Sequence, residues 1–298
     1  MSLKRNTKET KGQYAVKWIV FVIYAIYALT LLYPIVWILV CSFCTPEAFQ
    51  EGYGEFFPSI DKISFDNYKK FFSHKSIIRT GTGLIKEFGI LDMIGNTIFL
   101  TIARALISMA FAVCAAYCCA RYQFLGSKFY FYYGVVFCAI PFYGGTSAVF
   151  KLWYSLGLYD TVTAVLIMAV SPYSSFLYYY GFFRGLDSGY AEAAILDGAN
   201  DFQVFIKIML PQIAPVLATF LVGGFIGAWQ DWATNYMWLP SMPMIAYSIY
   251  QMSNNLAVKG DYTTFFAASV FSMVCTGTFF VIFRKRILAT VYTGGLKG

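Results

Sequence analysis

Charge is scarce in this sequence, and the side chains that build metal and acid–base centres are scarcer still. Only 12% of the 298 residues are Asp, Glu, Lys or Arg, against roughly 25% in a soluble domain. The single histidine, His74, stands in a polar stretch. The seven cysteines are Cys41, Cys44, Cys114, Cys118, Cys119, Cys138 and Cys275, and most fall inside apolar runs, where cysteine acts as a small hydrophobe. Cys41 and Cys44 form a C-x-x-C without the second pair or histidine cluster of a metal site, so they read as small apolar residues, with a disulfide between them as the minor alternative. These shortages exclude metalloenzyme chemistry and a hydrolytic His, Cys or Asp constellation, so neither metal nor cofactor is expected in the chain itself. Internal repeats and paired intramembrane carboxylates, marks of many secondary transporters, are also missing. The first apolar run, Val16 to Phe43, is too long for a signal-peptide core and has no small-residue cleavage site, so it reads as an uncleaved first span.

Apolar residues make up 59% of the sequence and aromatic residues 20%. Runs of about twenty apolar residues recur, the length that crosses a hydrocarbon core roughly 30 Å thick. The expected fold is all-α and polytopic, a single transmembrane domain over residues 1–298 in contact with membrane lipid. Six transmembrane helices can be drawn, at about 18–43, 93–119, 128–150, 161–183, 212–237 and 263–284. Segment 44–92 is too charged to span and contains one amphipathic helix, Phe65 to Phe72. Segment 238–262, with Pro240 and Pro243, reads as a re-entrant or interfacial piece. Thirteen basic and five acidic residues fall on the side of the N-terminus (1–17), the Arg121–Lys128 turn, the polar loop 184–211, and Arg284 with the tail (285–298); eight basic and nine acidic residues fall opposite. Because Lys and Arg are retained in the cytoplasm, both termini and loop 184–211 are expected there, and 44–92 outside.

Loop 184–211 is the polar exception in an apolar chain. Asp187 or Ser188 can cap a first short helix ending near Leu196, which Gly198 breaks. Asn200 with Gln203 three residues on forms a capping box for a second helix, and Pro211 is expected to end it. Ala191, Ala194 and Ile195 share one helical face, and Phe202, Phe205, Ile206 and Met209 another. Read from these residues alone, the loop is either an ordinary surface helix pair or a seat for a partner, small residues allowing close approach and Glu192 setting register.

Its spacing goes further. Glu192-Ala193-Ala194, Gly198 and Ile208-Met209-Leu210-Pro211 resemble the E-A-A-x3-G-x9-I-x-L-P motif of permease subunits of binding-protein-dependent ABC importers. Asn96-Thr97, Ala116-Tyr117, Ala120-Arg121-Tyr122, Gly157-Leu158, Trp229-Gln230-Asp231 and the terminal Gly294-Gly295-Leu296-Lys297-Gly298 are similar to the carbohydrate branch, maltose-type second permeases in particular. Two departures stand out: Leu186-Asp187-Ser188-Gly189-Tyr190 lacks the branch's proline before the motif, and Gln230 replaces its asparagine. The resemblance implies a type I importer permease fold in a bacterial inner membrane. It implies as partners a second related permease, two ATP-binding subunits that carry the ATP and Mg, and an external sugar-binding protein; nucleic acid is not among them. It implies a coupling role for Glu192, Ala193, Ala194, Asp197, Gly198, Leu210 and Pro211, and ATPase contact by Gly294, Gly295, Lys297 and Gly298. An importer branch for a peptide or osmolyte is the alternative, and a secondary transporter a more distant one.

Polar groups inside the apolar runs are the candidates for a substrate path. Arg104 in the second span either lines a wet path or forms a structural pair, since a charge in lipid needs one or the other. Asp231, between Trp229 and Trp232, can accept bonds from sugar hydroxyls beside aromatic faces, or stand as an interfacial acid. Tyr173, Ser174 and Tyr178, after Pro172, form a polar kink in the fourth span. Gly223 and Gly227 sit at the spacing that lets two helices pack closely.

Overall fold

The computed structural model describes residues 11–52, 63–122, 124–140, 145–170 and 173–294, with the side chains at 11, 13, 173, 174, 257, 259 and 285–294 outside the description. Helices dominate. In chain order they are α1 (Lys11–Ser42), α2 (Pro46–Glu51), α3 (Asp66–Ser73), the hairpin β1 (Lys75–Arg79) and β2 (Ile85–Gly89), then α4 (Ile90–Arg121), α5 (Ser127–Ala139), α6 (Thr146–Ser155), α7 (Val162–Ala169) and α8 (Tyr173–Gly185). They continue as α9 (Gly189–Leu196), α10 (Asp201–Gln203), a π-helical turn (Val204–Met209), α11 (Leu210–Gln212), α12 (Ala214–Trp229), α13 (Trp232–Trp238), α14 (Ile245–Lys259) and α15 (Tyr262–Gly294).

Among the described residues three helices are long and apolar enough to cross a membrane unaided: Tyr14–Ser42, Ile90–Arg121 and Tyr262–Arg284. They coincide with the first, second and sixth expected spans. Each of the other three falls on two shorter helices, α5 with α6, α7 with α8, and α12 with α13. At the first of these breaks Ile140, which precedes Pro141 in the sequence, is extended at φ −101°, ψ 112°, the conformation favoured before a proline; residues 141–144 and 171–172 lie outside the described residues. The third break follows Gln230, where Asp231 starts a new helix by accepting a hydrogen bond from the Thr234 N–H at 3.0 Å.

The chain divides into two compact units, residues 1–71 with 256–271, and residues 72–255 with 272–298. In the first, α1 ends in a small buried core: Cys41 and Cys44 are covered, with both thiols free, and Phe49 and Phe266 pack on Trp37 edge to face. Burial pushes the Cys44 thiol above its ordinary pKa, which disfavours the thiolate. The amphipathic helix expected at Phe65 to Phe72 is α3. Its Asn67 is buried and fully engaged, donating to the Ser42 and Cys44 carbonyls at 2.9 and 2.7 Å and accepting from the Thr263 hydroxyl at 3.1 Å.

The second unit is organised on α4, which packs against α5, α7, α8 and α12. At its Ile90 end the antiparallel hairpin pairs Lys75 with Gly89 through Arg79 with Ile85, a strand pair that the all-α expectation did not include. Asn96 and Thr97 of α4 hold the chain before α14. The Asn96 amide donates to the Pro243 carbonyl at 3.1 Å, and the Thr97 hydroxyl accepts from the Ile245 N–H at 2.9 Å. The piece expected to be re-entrant or interfacial is the helix α14, entered through buried Pro240 and Pro243.

Asp160 ties the same end together. It has φ +59°, the one positive value on a non-glycine among the described residues, and Asp tolerates this conformation because its short side chain bonds locally. One carboxylate oxygen accepts from the Gly81 N–H in the hairpin turn at 2.7 Å, and the other from the Ser241 N–H at 2.9 Å. Three separate loops thereby meet on one side chain. Gly81 is required there, because a Cβ would fall onto the Asp160 side chain.

Candidate functional site

At the opposite end of α4 the polar loop forms a rigid, partly apolar platform. Helix α9 closes at Asp197 and the chain reverses at Gly198, whose φ is +85°. The Gly198 N–H reaches the Ile195 carbonyl at 3.0 Å and the Ala199 N–H reaches the Ala194 carbonyl at 2.9 Å, the two bonds of a Schellman stop. A Cβ on Gly198 would meet nothing within 4 Å. Glycine is needed here for backbone conformation, not for space.

The capping box expected at Asn200 is present in both directions: the Gln203 N–H to Asn200 Oδ1 at 2.9 Å, and the Asn200 N–H to Gln203 Oε1 at 3.1 Å. Pro211 does not end the second helix. The chain widens into the π-helical turn Val204–Met209, continues through Leu210–Gln212 and bends by 75° into α12. A proline ring clashes with the carbonyl four residues back, here Lys207, and the wider i→i+5 turn is a local adjustment that accommodates it. The Leu210 N–H bonds to the Phe205 carbonyl in that register. Leu210 is half-buried and Pro211 exposed.

The extra residue changes which side chains face inward. Ala191, Val204, Met209 and Ile213 are buried against Ala112, Val113, Ala116 and Tyr117 of α4 and Phe176, Tyr179 and Phe183 of α8. Ile195, Phe202 and Ile206, expected on faces with Ala191 and Met209, instead stand 51%, 70% and 42% exposed, and Leu196 88%. In the second helix the expected face assumed an unbroken 3.6-residue period, which the π turn shifts; α9 has that period, yet its two turns bury Ala191 and part of Ala194 and leave Ile195 open. Glu192, Ala193 and Asp197 are exposed beside these apolar groups, and Ala194 is half-buried.

The closing residues of α4 clamp this platform. The Tyr117 ring lies 4.6 Å from that of Phe205, and the Arg121 guanidinium donates to the Ser188 carbonyl at 3.2 Å. Burial, with Tyr117 and the Asp201 carboxylate beside it, pushes the Tyr122 phenol up to about 12. Asp187 contributes locally, accepting from the Gly189 N–H at 3.0 Å; Ser188 precedes α9 without a side-chain cap bond.

The structure also joins two candidates that stand 127 positions apart in the sequence. The Arg104 guanidinium meets the Asp231 carboxylate at 2.9 Å, with side chains 19% and 20% exposed. The carboxylate does double duty, since its other oxygen caps α13. Arg104 Nη1 and Thr101 Oγ1, one turn earlier, are buried without a hydrogen-bond partner, unusual for groups in a low-dielectric setting. Trp229 is buried, its indole N–H donating to Ser272 at 3.1 Å, whereas Trp232 stacks on Tyr250 at 3.7 Å. Tyr178 is 60% exposed beside Phe220; Tyr173 and Ser174 open α8.

Between α4, α8 and α12 lies a cavity of about 220 Å³ lined by Ser108, Ser175, Tyr179 and Gly224 among others. Ser108 had not been singled out, although it stands one turn after Arg104 on the same face, a spacing the sequence displays. Gly294 ends α15, while Gly295, Lys297 and Gly298 lie outside the described residues. No group of three or more His, Cys, Asp or Glu side chains among the described residues could hold a metal ion.

Residues 6–289 match the family described as the binding-protein-dependent transport system inner membrane component. The chain belongs to this family. As an inner membrane component it is a transport subunit and not an enzyme. It is 25% identical over 288 residues to the arabinooligosaccharides transport system permease protein AraQ of Halalkalibacterium halodurans, covering 94% of this chain and 96% of that one. It is 25% identical over 282 residues to the diacetylchitobiose uptake system permease protein NgcG of Streptomyces coelicolor, covering 91% and 86%. Among solved structures, a chain of a bacterial ABC transporter involved in the import of the acidic polysaccharide alginate is similar with a TM-score of 0.76 and 22% identity, over 94% of this chain and 99% of that one. That likeness establishes the permease fold. Within this inner membrane component, motif residues quoted from the sequence acquire physical roles: Asn96 and Thr97 anchor the entry to α14, Tyr117 and Arg121 seat the polar loop, and Gly157 supplies a positive φ of +69° before α7.

Proposed function

We propose that this inner membrane component is the permease of a bacterial ATP-driven importer for a sugar or oligosaccharide. Its partners in this reading are a second related permease, two ATP-binding subunits and an external saccharide-binding protein. The observation that carries the reading is the exposed face of the polar loop. Ile195, Leu196 and Phe202 present apolar surface to solvent around Glu192 and Ala193, on a platform whose buried side is fixed to α4 and α8. Soluble surfaces rarely hold apolar groups this close together without a partner. Glu192 supplies a charge for a basic ATPase side chain, Ala193 and Ala194 allow close seating, and Gly198 and Pro211 set the two ends. Gly294, Gly295, Lys297 and Gly298 form the tail that reaches the ATPases, and both termini are cytoplasmic, as the basic excess on that side supports. The saccharide cargo is supported by the oligosaccharide and disaccharide permeases among its relatives.

The mechanism is mechanical. ATPase closure moves the platform, and because the platform is packed on α4 and α8 and continues into α12, the force passes to those helices as a rigid-body rotation between inward- and outward-open states. The chain carries out no covalent step. Arg104 and Asp231, with the cavity beside Ser108 and Ser175, are the polar groups available along the path.

Reconstitution with the ATPase and binding-protein subunits tests the reading. Glu192→Lys combined with Gly198→Val is expected to abolish ATP-dependent saccharide uptake while the permease still inserts. Uptake at the unsubstituted rate would overturn it, as would purification of the chain with no ATPase attached.

A further inference from the structure

We propose a second saccharide site, at the Ile90 end of α4 and separate from the Arg104–Asp231 pair, in a cavity of about 420 Å³ whose walls include Arg79, Phe150, Tyr159, Tyr236 and Tyr247. The proposal rests on the importer reading and adds to it where one ring of the cargo is held. A volume of this size falls within the range of small-molecule sites, roughly 300–1,000 Å³.

The chemistry of the walls points to a sugar. Saccharide rings have faces of weakly positive C–H groups and rims of hydroxyls, so they need aromatic faces and hydrogen-bonding tips together. Four aromatic rings stand here, with Phe150 5.2 Å from Tyr159, and Tyr236 stacked on Tyr247 at 5.3 Å. More than half of Tyr236 is open, which leaves a ring surface for a ligand. The Tyr247 hydroxyl accepts from the Gln251 amide at 2.9 Å, so its own proton remains to be donated. Arg79 is exposed and forms no ion pair with a described residue, offering several N–H donors to ring hydroxyls or a ring carboxylate.

The walls are also fixed in advance. They come from β1, α6, the α6–α7 connection, α13 and α14, and Asp160 joins three of the connecting loops through two backbone N–H groups. These bonds hold Asp160 at its positive φ and fix the loops it joins before a ligand arrives. Rigid walls lower the ordering cost of binding.

Full-length protein in nanodiscs free of glycolipid, with no sugar-headed detergent, should be mixed in turn with arabinotriose, diacetylchitobiose and trehalose and read by saturation-transfer NMR. Transfer to the ring protons of at least one is expected. Tyr236→Ala and Arg79→Gln alter exposed side chains, and each is expected to weaken binding tenfold or more while leaving the thermal unfolding midpoint close to that of the parent. No transfer to any of the three overturns the proposal, and so does binding that survives both pocket substitutions. Uptake by the assembled importer separates the two readings. Saccharide uptake with an unchanged half-saturation in both pocket variants removes the second site and leaves the importer; no saccharide uptake by the unsubstituted assembly removes the importer reading itself.

Discussion

Substituting Arg104 by methionine leaves the Asp231 carboxylate in a largely buried position with only the Thr234 N–H to satisfy it. Substituting Asp231 by asparagine keeps an acceptor for that N–H but strands the guanidinium, whose Nη1 already lacks a partner. At 2.9 Å, and with an effective dielectric of about 20, the direct attraction is about 6 kcal/mol. Most of it offsets the cost of taking two charges out of water, so the net worth of the pair is small. Removing one partner forfeits the attraction and keeps the desolvation of the other, which costs roughly 3–5 kcal/mol. Because both side chains retain about a fifth of their exposure, the lower end applies, about 3 kcal/mol for each single substitution. Removing both leaves no stranded charge, so the double variant Arg104→Met/Asp231→Asn should lose no more than either single one. Tryptophan fluorescence during thermal unfolding in nanodiscs provides the readout, at roughly 2–4 °C per kcal/mol. The expected pattern is two large shifts and a double variant well short of their sum. A double variant equal to the sum within about 0.5 kcal/mol would refute the reasoning, because the two charges would then not be coupled.

Four further outcomes follow from the loops. Gly198→Ala should cost about 1–2 kcal/mol, the penalty for a Cβ in the left-handed region, and should appear as faster proteolysis between α9 and α10 with α4 unaffected. Asn200→Ala removes a capping-box acceptor and should lower stability by about 1 kcal/mol, with a smaller loss for Asn200→Asp. Gly81→Ala should reduce thermal stability more than Gly83→Ala, although Gly83 has φ +81°, because only the former drives a methyl into Asp160. The Tyr122 phenol is held up to about 12 from an ordinary value near 10, so its contribution is complete below pH 10 and is lost as pH rises toward 12. Alkaline unfolding curves of the parent and Tyr122→Phe should diverge in that window and coincide below it.

What could be read from the residues depended on how local the cause was. Gly198, the Asn200–Gln203 cap and the helix at Phe65 to Phe72 are decided within a few residues, and all three stand where the spacing put them. The hairpin was missed because two five-residue strands in a charged segment give little alternation, although Gly81 and Gly83 marked its turn. Pro141 carried a visible signal for the break in the third span, hidden by the apolar run around it. The Arg104–Asp231 contact joins residues 127 positions apart, and no local pattern encodes such a pairing. The inward face of the loop's second helix failed for another reason: periodicity assumes a regular helix, and the π turn makes this one irregular.

That turn gives the spacing between Gly198 and Pro211 a meaning beyond recognition. An α-helix advances about 100° per residue, and a π turn takes up one extra residue within nearly the same winding, so a single-residue deletion within Val204–Met209 would restore ordinary α winding and leave Glu192 and the apolar groups beside it facing much as before. A one-residue insertion has no such slack and would rotate everything before it by about 100° about the helix axis. The turn is thus a stored residue: the loop should tolerate losing one there and fail on gaining one.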